Sequence, residues 1–382
     1  MSSRLNILYV SHLHPPENAP LENIGGMQRV SMQLVRQLRR SGDVTVHAEI
    51  MKSSWEGIGF RTVGFLLEEA VRLPRLARER GADVILFSSM VTASLAVLLR
   101  RRVEIPMVTI NHGQDVTMPN FFYQKFVPRV FRNLDGVISV SRATRQACIA
   151  RGMDPGKGAA LANGVDLQKL DRFPGRGESR RRMEQLTGLS LEGRPLLLSV
   201  GRMVRRKGHE WFIRQVLPSV DDRAVYLTVG DGPEEENVRR AVEDSPASDR
   251  IFLLGRRSDE VLKMAYSAAD LFVMPNIPVE GDMEGFGIVM LEANMARTPV
   301  VAADLEGIRD VITDGQNGWK IPTRQAGAFA GKINELLAAD LTDFGERARA
   351  WVLEKFSWEK VAGEYLDFLK KVIENRRNAS FD

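Results

Sequence analysis

The chain has 382 residues, 44% of them apolar, with 53 Lys/Arg against 49 Asp/Glu and a net charge of +4. That length exceeds what one hydrophobic core usually supports, so two globular domains are expected, and the single cysteine, Cys148, excludes an internal disulfide or a cysteine-based metal cluster and fits a reducing, cytoplasmic compartment. The first apolar run ends by His12, too short for a secretion signal, and no stretch approaches the roughly 18 apolar residues that cross a bilayer.

Leu5–Val10 reads as a buried strand. Met27, Val30, Leu34, Val35 and Leu38 then recur at helical spacing up to a Ser41-Gly42 stop, and Val44–Ile50 is the next strand, which makes a β-α-β unit. His12 and His14 are expected in a strand-end loop lining an acceptor cleft. No cysteine lies near them and the chain has no Asp-x-Asp pair, so no metal is expected. Apolar runs at Val84–Phe87, Met107–Ile110 and Val137–Val140 alternate with helix-length patterns at 91–102 and 142–151, the mark of a parallel sheet covered on both faces.

Between Asn163 and Gly193 the pattern breaks into an arginine-rich polar stretch, read as the crossing between a first domain over 1–172 and a second over 173–357. A second alternating series follows, with strands at Leu196–Val200, Ala224–Val229, Ile251–Leu254, Leu271–Met274 and Val300–Ala302. Its helices fall near 208–217, 233–243, 258–268, 287–297 and 327–338, and closing helical patterns lie near 342–355 and 358–376. The segment 358–382 is expected to pack back on the first domain. The fold class is α/β, with two Rossmann-like doubly wound domains facing each other across a cleft and ligands at the carboxyl ends of the strands.

Charge is uneven along this plan: residues 1–173 hold 23 Lys/Arg against 15 Asp/Glu, and the remainder 30 against 34. An anionic partner for the first half, either a phosphorylated acceptor or an anionic membrane surface, is one reading, and solvated helix faces are the other.

The chemistry is expected at the strand ends of the second half. Gly201-Arg202 and Lys207-Gly208 follow the strand Leu196–Val200, where an arginine fork and a lysine point charge suit a diphosphate and can stabilise its departure without a metal. Gly230, after the next strand, is a small residue where backbone could approach a ligand. Glu284-Gly285-Phe286-Gly287-Ile288 leads into a helix whose first amides, at Phe286, Gly287 and Ile288, are placed to meet a phosphate. Glu284, just before that anion site, needs neutral partners such as sugar hydroxyls, and Glu292, inside the helix, could reach a ribose diol. In the first half, Gly25 and Gly26 could form an anion nest, and His112, after the strand Met107–Ile110, could donate a hydrogen bond to the sugar or to developing charge.

On these residues, together with Val137–Ser141, Asn163-Gly164-Val165-Asp166 and Gly230-Asp231-Gly232, the chain resembles the family 4 retaining glycosyltransferases of the GT-B fold over nearly its whole length. The resemblance implies that Glu284 contacts the donor sugar, Glu292 the ribose, and Arg202 and Lys207 the diphosphate. It also implies a metal-independent front-face reaction with retention, in which a hexose passes from a nucleotide-diphosphate sugar to a hydroxyl of a sugar, lipid-linked or phosphorylated acceptor. No cofactor is expected, and base selection would fall near Gly255-Arg256-Arg257, which makes Arg257 a donor-binding residue. The loop Asp304–Asp310 departs from the family pattern in keeping one glycine, Gly307, so that it would be less open.

Two other readings keep part of the pattern: a degenerate homologue that binds a nucleotide-sugar or a membrane partner, and a GT-B-like nucleotide-sugar epimerase. The first would be marked by loss of Arg202, Lys207, Glu284 or Glu292, all of which are present, and the second is not expected to carry the Glu284 to Glu292 run. A hydride-transferring enzyme is disfavoured because His12-Leu13-His14-Pro15-Pro16 follows the first strand where a Gly-x-Gly-x-x-Gly turn would stand. Dispersed arginines without a stacking platform argue against nucleic acid.

Overall fold

The short apolar runs form parallel strands buried on both faces. In the computed structural model, which describes residues 4–14, 26–52, 58–170 and 172–379, the first six strands are β1 (Leu5–His14), β2 (Val44–Lys52), β3 (Val84–Phe87), β4 (Met107–Asn111), β5 (Gly136–Ser139) and β6 (Gly158–Ala160). They form one sheet in the order β2-β1-β3-β4-β5-β6. A second sheet joins β7 (Leu196–Val200), β8 (Val225–Val229), β9 (Ile251–Leu253), β10 (Leu271–Met274), β11 (Val300–Ala303) and β12 (Gly318–Ile321), in the order β12-β11-β10-β7-β8-β9. All pairings are parallel, and every residue of β3, β4, β5, β8, β10 and β11 is buried, as helices on both faces require.

Each sheet belongs to its own compact unit: residues 1–164 with 358–382, and residues 165–357. In the first unit, helix Trp358–Asn378 is held by Trp358 Nε1, which donates to Gln33 Oε1 at 2.7 Å. A Cβ on Gly136 of β5 would come within 2.9 Å of Val372 on that helix, so the bare glycine is what lets the helix lie on the strand. The change of unit falls eight residues before position 172. The polar stretch read as a crossing is helix Arg176–Thr187 of the second unit, because Arg176 and Arg180 both bond Asp270 at the foot of β10.

Other local departures have local causes. The pattern at 91–102 is two short helices, Met90–Ala93 and Ala96–Leu99, parted where Ser94 Oγ donates back to the Val91 carbonyl. The pattern at 208–217 is an irregular run, one turn His209–Trp211, then a π turn Phe212–Val216, and a 3-10 turn Leu217–Ser219 opened by Pro218. β1 continues to His14, so His12 and His14 lie in the strand itself, not in a loop after it. Helices Gly26–Arg40, Ile58–Glu79, Phe121–Asn133 and Arg142–Ile149 also belong to the first unit.

Both sheets change winding direction once. In the second, β7 and β10 lie side by side while the chain leaves β7 toward β8 and leaves β10 toward β11. Loops after adjacent strands diverge there and leave a crevice at the carboxyl edge.

Candidate functional site

The crevice between β7 and β10 is built from loops stacked backbone on backbone. A Cβ on Gly208 (φ 68°) would lie 2.0 Å from the Pro275 carbonyl, and one on Gly230 (φ 141°) 2.0 Å from that of Gly201. The glycine that sequence reasoning assigned to ligand approach at position 230 is thus filled by the neighbouring loop. Gly201 differs: its open side faces Lys207, whose Cε would lie 3.4 Å from an added Cβ. The Ile277 amide donates to the Arg206 carbonyl at 2.9 Å, which ties the loop after β7 to the loop after β10.

This stacking brings Lys207 and Glu284 together. Lys207 Nζ stands 2.7 Å from Glu284 Oε2, and both residues are buried. Asn276 Nδ2 donates to the same oxygen at 3.0 Å, Arg206 Nε lies 3.4 Å from it as a charge contact without a hydrogen bond, and Arg206 Nη1 bonds Asp282. Burial opposes ionisation of Glu284, but Lys207 and Arg206 outweigh it and hold the carboxyl down at about 2. Among the described residues Oε1 has no hydrogen bond, so a carboxylate fixed through one oxygen presents the other. The loop after β11 locks its backbone: Glu306 accepts from the Glu284 amide, and the Gly307 amide donates to the Glu284 carbonyl at 3.1 Å. A Cβ on Gly307 would strike the Gly285 carbonyl at 2.1 Å, so the one glycine kept in this loop serves the closest approach.

Helix Ile288–Met295 starts from Gly287 (φ 88°), and Met290 N–H is the first to reach back, to the Gly287 carbonyl at 3.1 Å. The amides of Ile288 and Val289 precede that bond and have no carbonyl inside the helix. Phe286 turns inward, edge-on to Phe356 at 6.1 Å, so only its backbone is available to a ligand. Glu292 is buried and accepts from Tyr266 Oη at 2.9 Å through Oε2. Arg202 and Arg257 are exposed, and their side chains make no hydrogen bond or ion pair among the described residues, whereas Arg256 pairs with Asp231 at 2.9 Å.

Beneath Lys207 runs a polar chain. Ser199 Oγ donates to the Val273 carbonyl at 2.6 Å and Tyr226 Oη donates to Ser199 Oγ at 2.9 Å, so His209 Nδ1, 3.1 Å from Tyr226 Oη, is the donor in that contact. Burial, with Lys207 adding to it, lowers His209 to about 4 and keeps the ring neutral.

In the first unit, the winding change lies between β1 and β3, and the polar residues gather at that edge. His112 Nε2 donates to the Ser88 carbonyl at 2.9 Å, and its backbone amide donates to Asp115 Oδ1 at 2.8 Å. Asp115 Oδ2 also accepts from the Met90 amide, bracing the chain after β3. With Nε2 committed to the Ser88 carbonyl, Nδ1 is the ring nitrogen left to meet a ligand. His12 and Ser88 are buried, and among the described residues His12 Nδ1 and Ser88 Oγ have no hydrogen-bond partner. Burial lowers His12 to about 4, with His112 adding to it. His14 Nε2 contacts Ser31 Oγ at 3.0 Å. Gly26 opens helix Gly26–Arg40 with nothing within 4 Å of an added Cβ, and Gly25 lies outside the described residues. Cys148 is buried, and burial pushes its thiol up to about 11. Among the described residues no three His, Cys, Asp or Glu side chains gather as for a metal ion.

Sequence reasoning missed Arg206, Asn276, Asp282, Glu306 and Tyr266. Arg206 adjoins Lys207, and Asp282 stands two residues before Glu284, so an opposite-charge pair flanking the two was the one visible signal. Tyr266 reaches Glu292 across 26 positions and left none.

The sequence profile described as Glycosyltransferase Family 4 matches residues 24–169, and that described as Glycosyl transferases group 1 matches residues 194–339. A GDP-mannose-dependent alpha-(1-6)-phosphatidylinositol monomannoside mannosyltransferase of Mycolicibacterium smegmatis is 30% identical over 400 residues, covering 98% of this chain and 99% of its own. Among solved structures, Anabaena HepE in complex with UDP superposes with a TM-score of 0.75 at 18% identity, over 96% of this chain and 100% of its own. Sucrose-phosphate synthase from Thermosynechococcus elongatus does so with a TM-score of 0.77 at 20% identity, over 97% and 100%.

Proposed function

The chain belongs to the family 4 glycosyltransferases, and on that premise we propose that it transfers a hexose from a nucleotide-diphosphate sugar to a hydroxyl of a lipid-linked or phosphorylated acceptor, with retention, without a metal, and in the cytoplasm. The observation that carries the reading is the Lys207–Glu284 pair, which among the described residues leaves Glu284 Oε1 free and two of the three Lys207 N–H donors unused at the edge of a parallel sheet.

In this reading the donor diphosphate lies against Arg202, Lys207 and the amides of Ile288 and Val289. Glu292 accepts from the ribose diol, with Tyr266 fixing its second oxygen. Glu284 Oε1 accepts from a hydroxyl of the donor sugar, and the cations around Oε2 keep it ionised. The bond from the anomeric carbon to the phosphate oxygen breaks while the acceptor oxygen bonds the same face, and the acceptor proton passes to the departing phosphate. Charge grows on the diphosphate, where Lys207 and Arg202 are fixed in advance. Such preorganised donors typically contribute about 10²–10³ in rate. In the first unit, His112 Nδ1 is left to accept a hydrogen bond from a hydroxyl, with no proton transferred to it.

GDP-mannose is the first donor to test, since the Mycolicibacterium relative is named for it. The chain is incubated in a chelator with GDP-mannose, UDP-glucose and ADP-glucose and a phosphatidylinositol mannoside acceptor, and the product anomer is read by NMR. Transfer with the donor's anomeric configuration is expected. Failure of every donor to release a nucleoside diphosphate, or an inverted product, would overturn the proposal.

A further inference from the structure

Helix Ile58–Glu79 turns an apolar line away from its core. Thr62, Glu69, Ala70, Leu73, Leu76 and Ala77 are buried, and opposite them Phe60, Val63, Leu67 and Val71 stand at helical spacing, all more than half exposed, with Phe60 at 90%. The same outer line continues into exposed Arg75 and Arg78. It is apolar for three turns and cationic for the next two.

The neighbouring elements repeat the arrangement. Helix Ala96–Leu99 packs against both helix Ile58–Glu79 and helix Phe121–Asn133, so the three form one layer of the first unit. Leu98 on the middle element is exposed, as are Phe121 and Phe122 at the start of the third, with Phe122 at 80%. Lys125 Nζ lies 4.2 Å from the centre of the Phe121 ring, a cation beside an outward-facing aromatic. Residues 58–80, 96–104 and 121–133 hold eleven Lys/Arg and four Glu. Three of those four are already paired, Glu68 and Glu69 with Arg72 and Glu79, more loosely at 3.5 Å, with Arg75.

We propose that this three-helix face docks on an anionic lipid bilayer, with Phe60, Leu67, Phe121 and Phe122 entering the headgroup boundary and Arg75, Arg78 and Lys125 lying on the phosphates. This rests on the lipid-linked acceptor of the proposed function. The face carries separate protruding apolar side chains ringed by cations, which suits a laterally fluid anionic surface. A folded protein partner would need packed complementarity at its core instead. Among the described residues no helix is long and apolar enough to cross a membrane, so attachment here is to one face of the bilayer.

The test uses the full chain with vesicles of phosphatidylglycerol and phosphatidylcholine, against phosphatidylcholine alone, by co-sedimentation across a salt series. Wild type is expected to bind the anionic vesicles and to be released as salt rises. Phe60→Ser/Leu67→Ser is expected to lose at least about tenfold in partitioning, and Phe121→Ser/Phe122→Ser likewise, with unchanged melting temperature. Arg75→Gln/Arg78→Gln is expected to bind more weakly and with a shallower salt dependence. Binding confined to neutral vesicles, no binding at low salt, or full binding by both apolar variants would overturn the proposal. So would a wild-type dimer in sedimentation that Phe60→Ser/Leu67→Ser dissociates, since a second copy would then cover the face. Thermal shift with GDP and UDP on the same preparations reads the donor site, so its absence would count against the transferase reading alone.

Discussion

Replacing Lys207 by Met separates what the buried pair does for the fold from what it does for the reaction. The substitution leaves the Glu284 carboxylate buried, with Asn276 at 3.0 Å and Arg206 at 3.4 Å as its remaining partners. Removing one member of a buried pair costs about 3–5 kcal/mol, and because Arg206 stays the lower end applies, about 3 kcal/mol. For a unit of this size that is a fall of about 6–12 °C in melting temperature. Turnover should fall by about 10²–10³, the usual cost of losing one fixed donor at a site of developing charge. The decisive comparison is Lys207→Met/Glu284→Gln, in which a neutral amide replaces the stranded charge. Melting should recover by half or more while turnover stays at or below that of the single variant. Calorimetry and a donor-turnover assay on the three proteins read both quantities. Near-normal turnover in Lys207→Met, or turnover restored in the double variant, would show that the pair only supports the loops.

Four further outcomes follow from the same geometry. Glu284, held at about 2 against an ordinary 4.5, stabilises the second unit fully above about pH 4.5 and loses that contribution as pH falls toward 2, so a pH series of melts should flatten in Glu284→Gln. Burial, joined by charged neighbours, lowers His12, His14 and His209 from 6.5 to about 4, so stability should be full above pH 6.5 and decline between 6.5 and 4, with His14→Gln removing part of the slope. Gly230→Ala should cost about 2 kcal/mol or more, because the new Cβ meets the Gly201 carbonyl at 2.0 Å, and chemical denaturation would show it. Tyr266→Phe removes the hydroxyl that fixes Glu292 and should weaken nucleoside diphosphate binding about tenfold with little change in kcat, as calorimetry and kinetics together would show.

Much of the fold was legible because buried parallel strands are short apolar runs: Val84–Phe87, Leu196–Val200 and Leu271–Met274 begin and end where the sequence places them. β6, Gly158–Ala160, carries no large apolar residue, and β12 pairs glycine with a half-buried lysine, so neither announces a strand. Helix Ile58–Glu79 is blurred for a different reason, since Phe60, Val63, Leu67 and Val71 put apolar residues on the outer line as well as the inner one. At the site, Arg202, Lys207, Glu284 and Glu292 were readable because they sit within a few residues of a strand end or a helix start. Their supports were not, because Arg206 meets Asp282, and Glu306 meets the Glu284 amide, only after distant loops stack. Which ring nitrogen of His112 carries the proton also needed the structure, since Nε2 donates to the Ser88 carbonyl.

The central claim is that Arg202, Lys207, Glu284 and Glu292 hold one nucleotide-sugar donor. Isothermal titration of GDP, UDP and ADP into the wild-type chain in a chelator, repeated with Arg202→Ala and Glu292→Ala, tests it most directly. One nucleoside diphosphate should bind at a single site without metal, and each variant should weaken it by about tenfold or more, as loss of a charge-assisted contact does. Equal affinity in wild type and both variants, or no binding of any of the three, would contradict it.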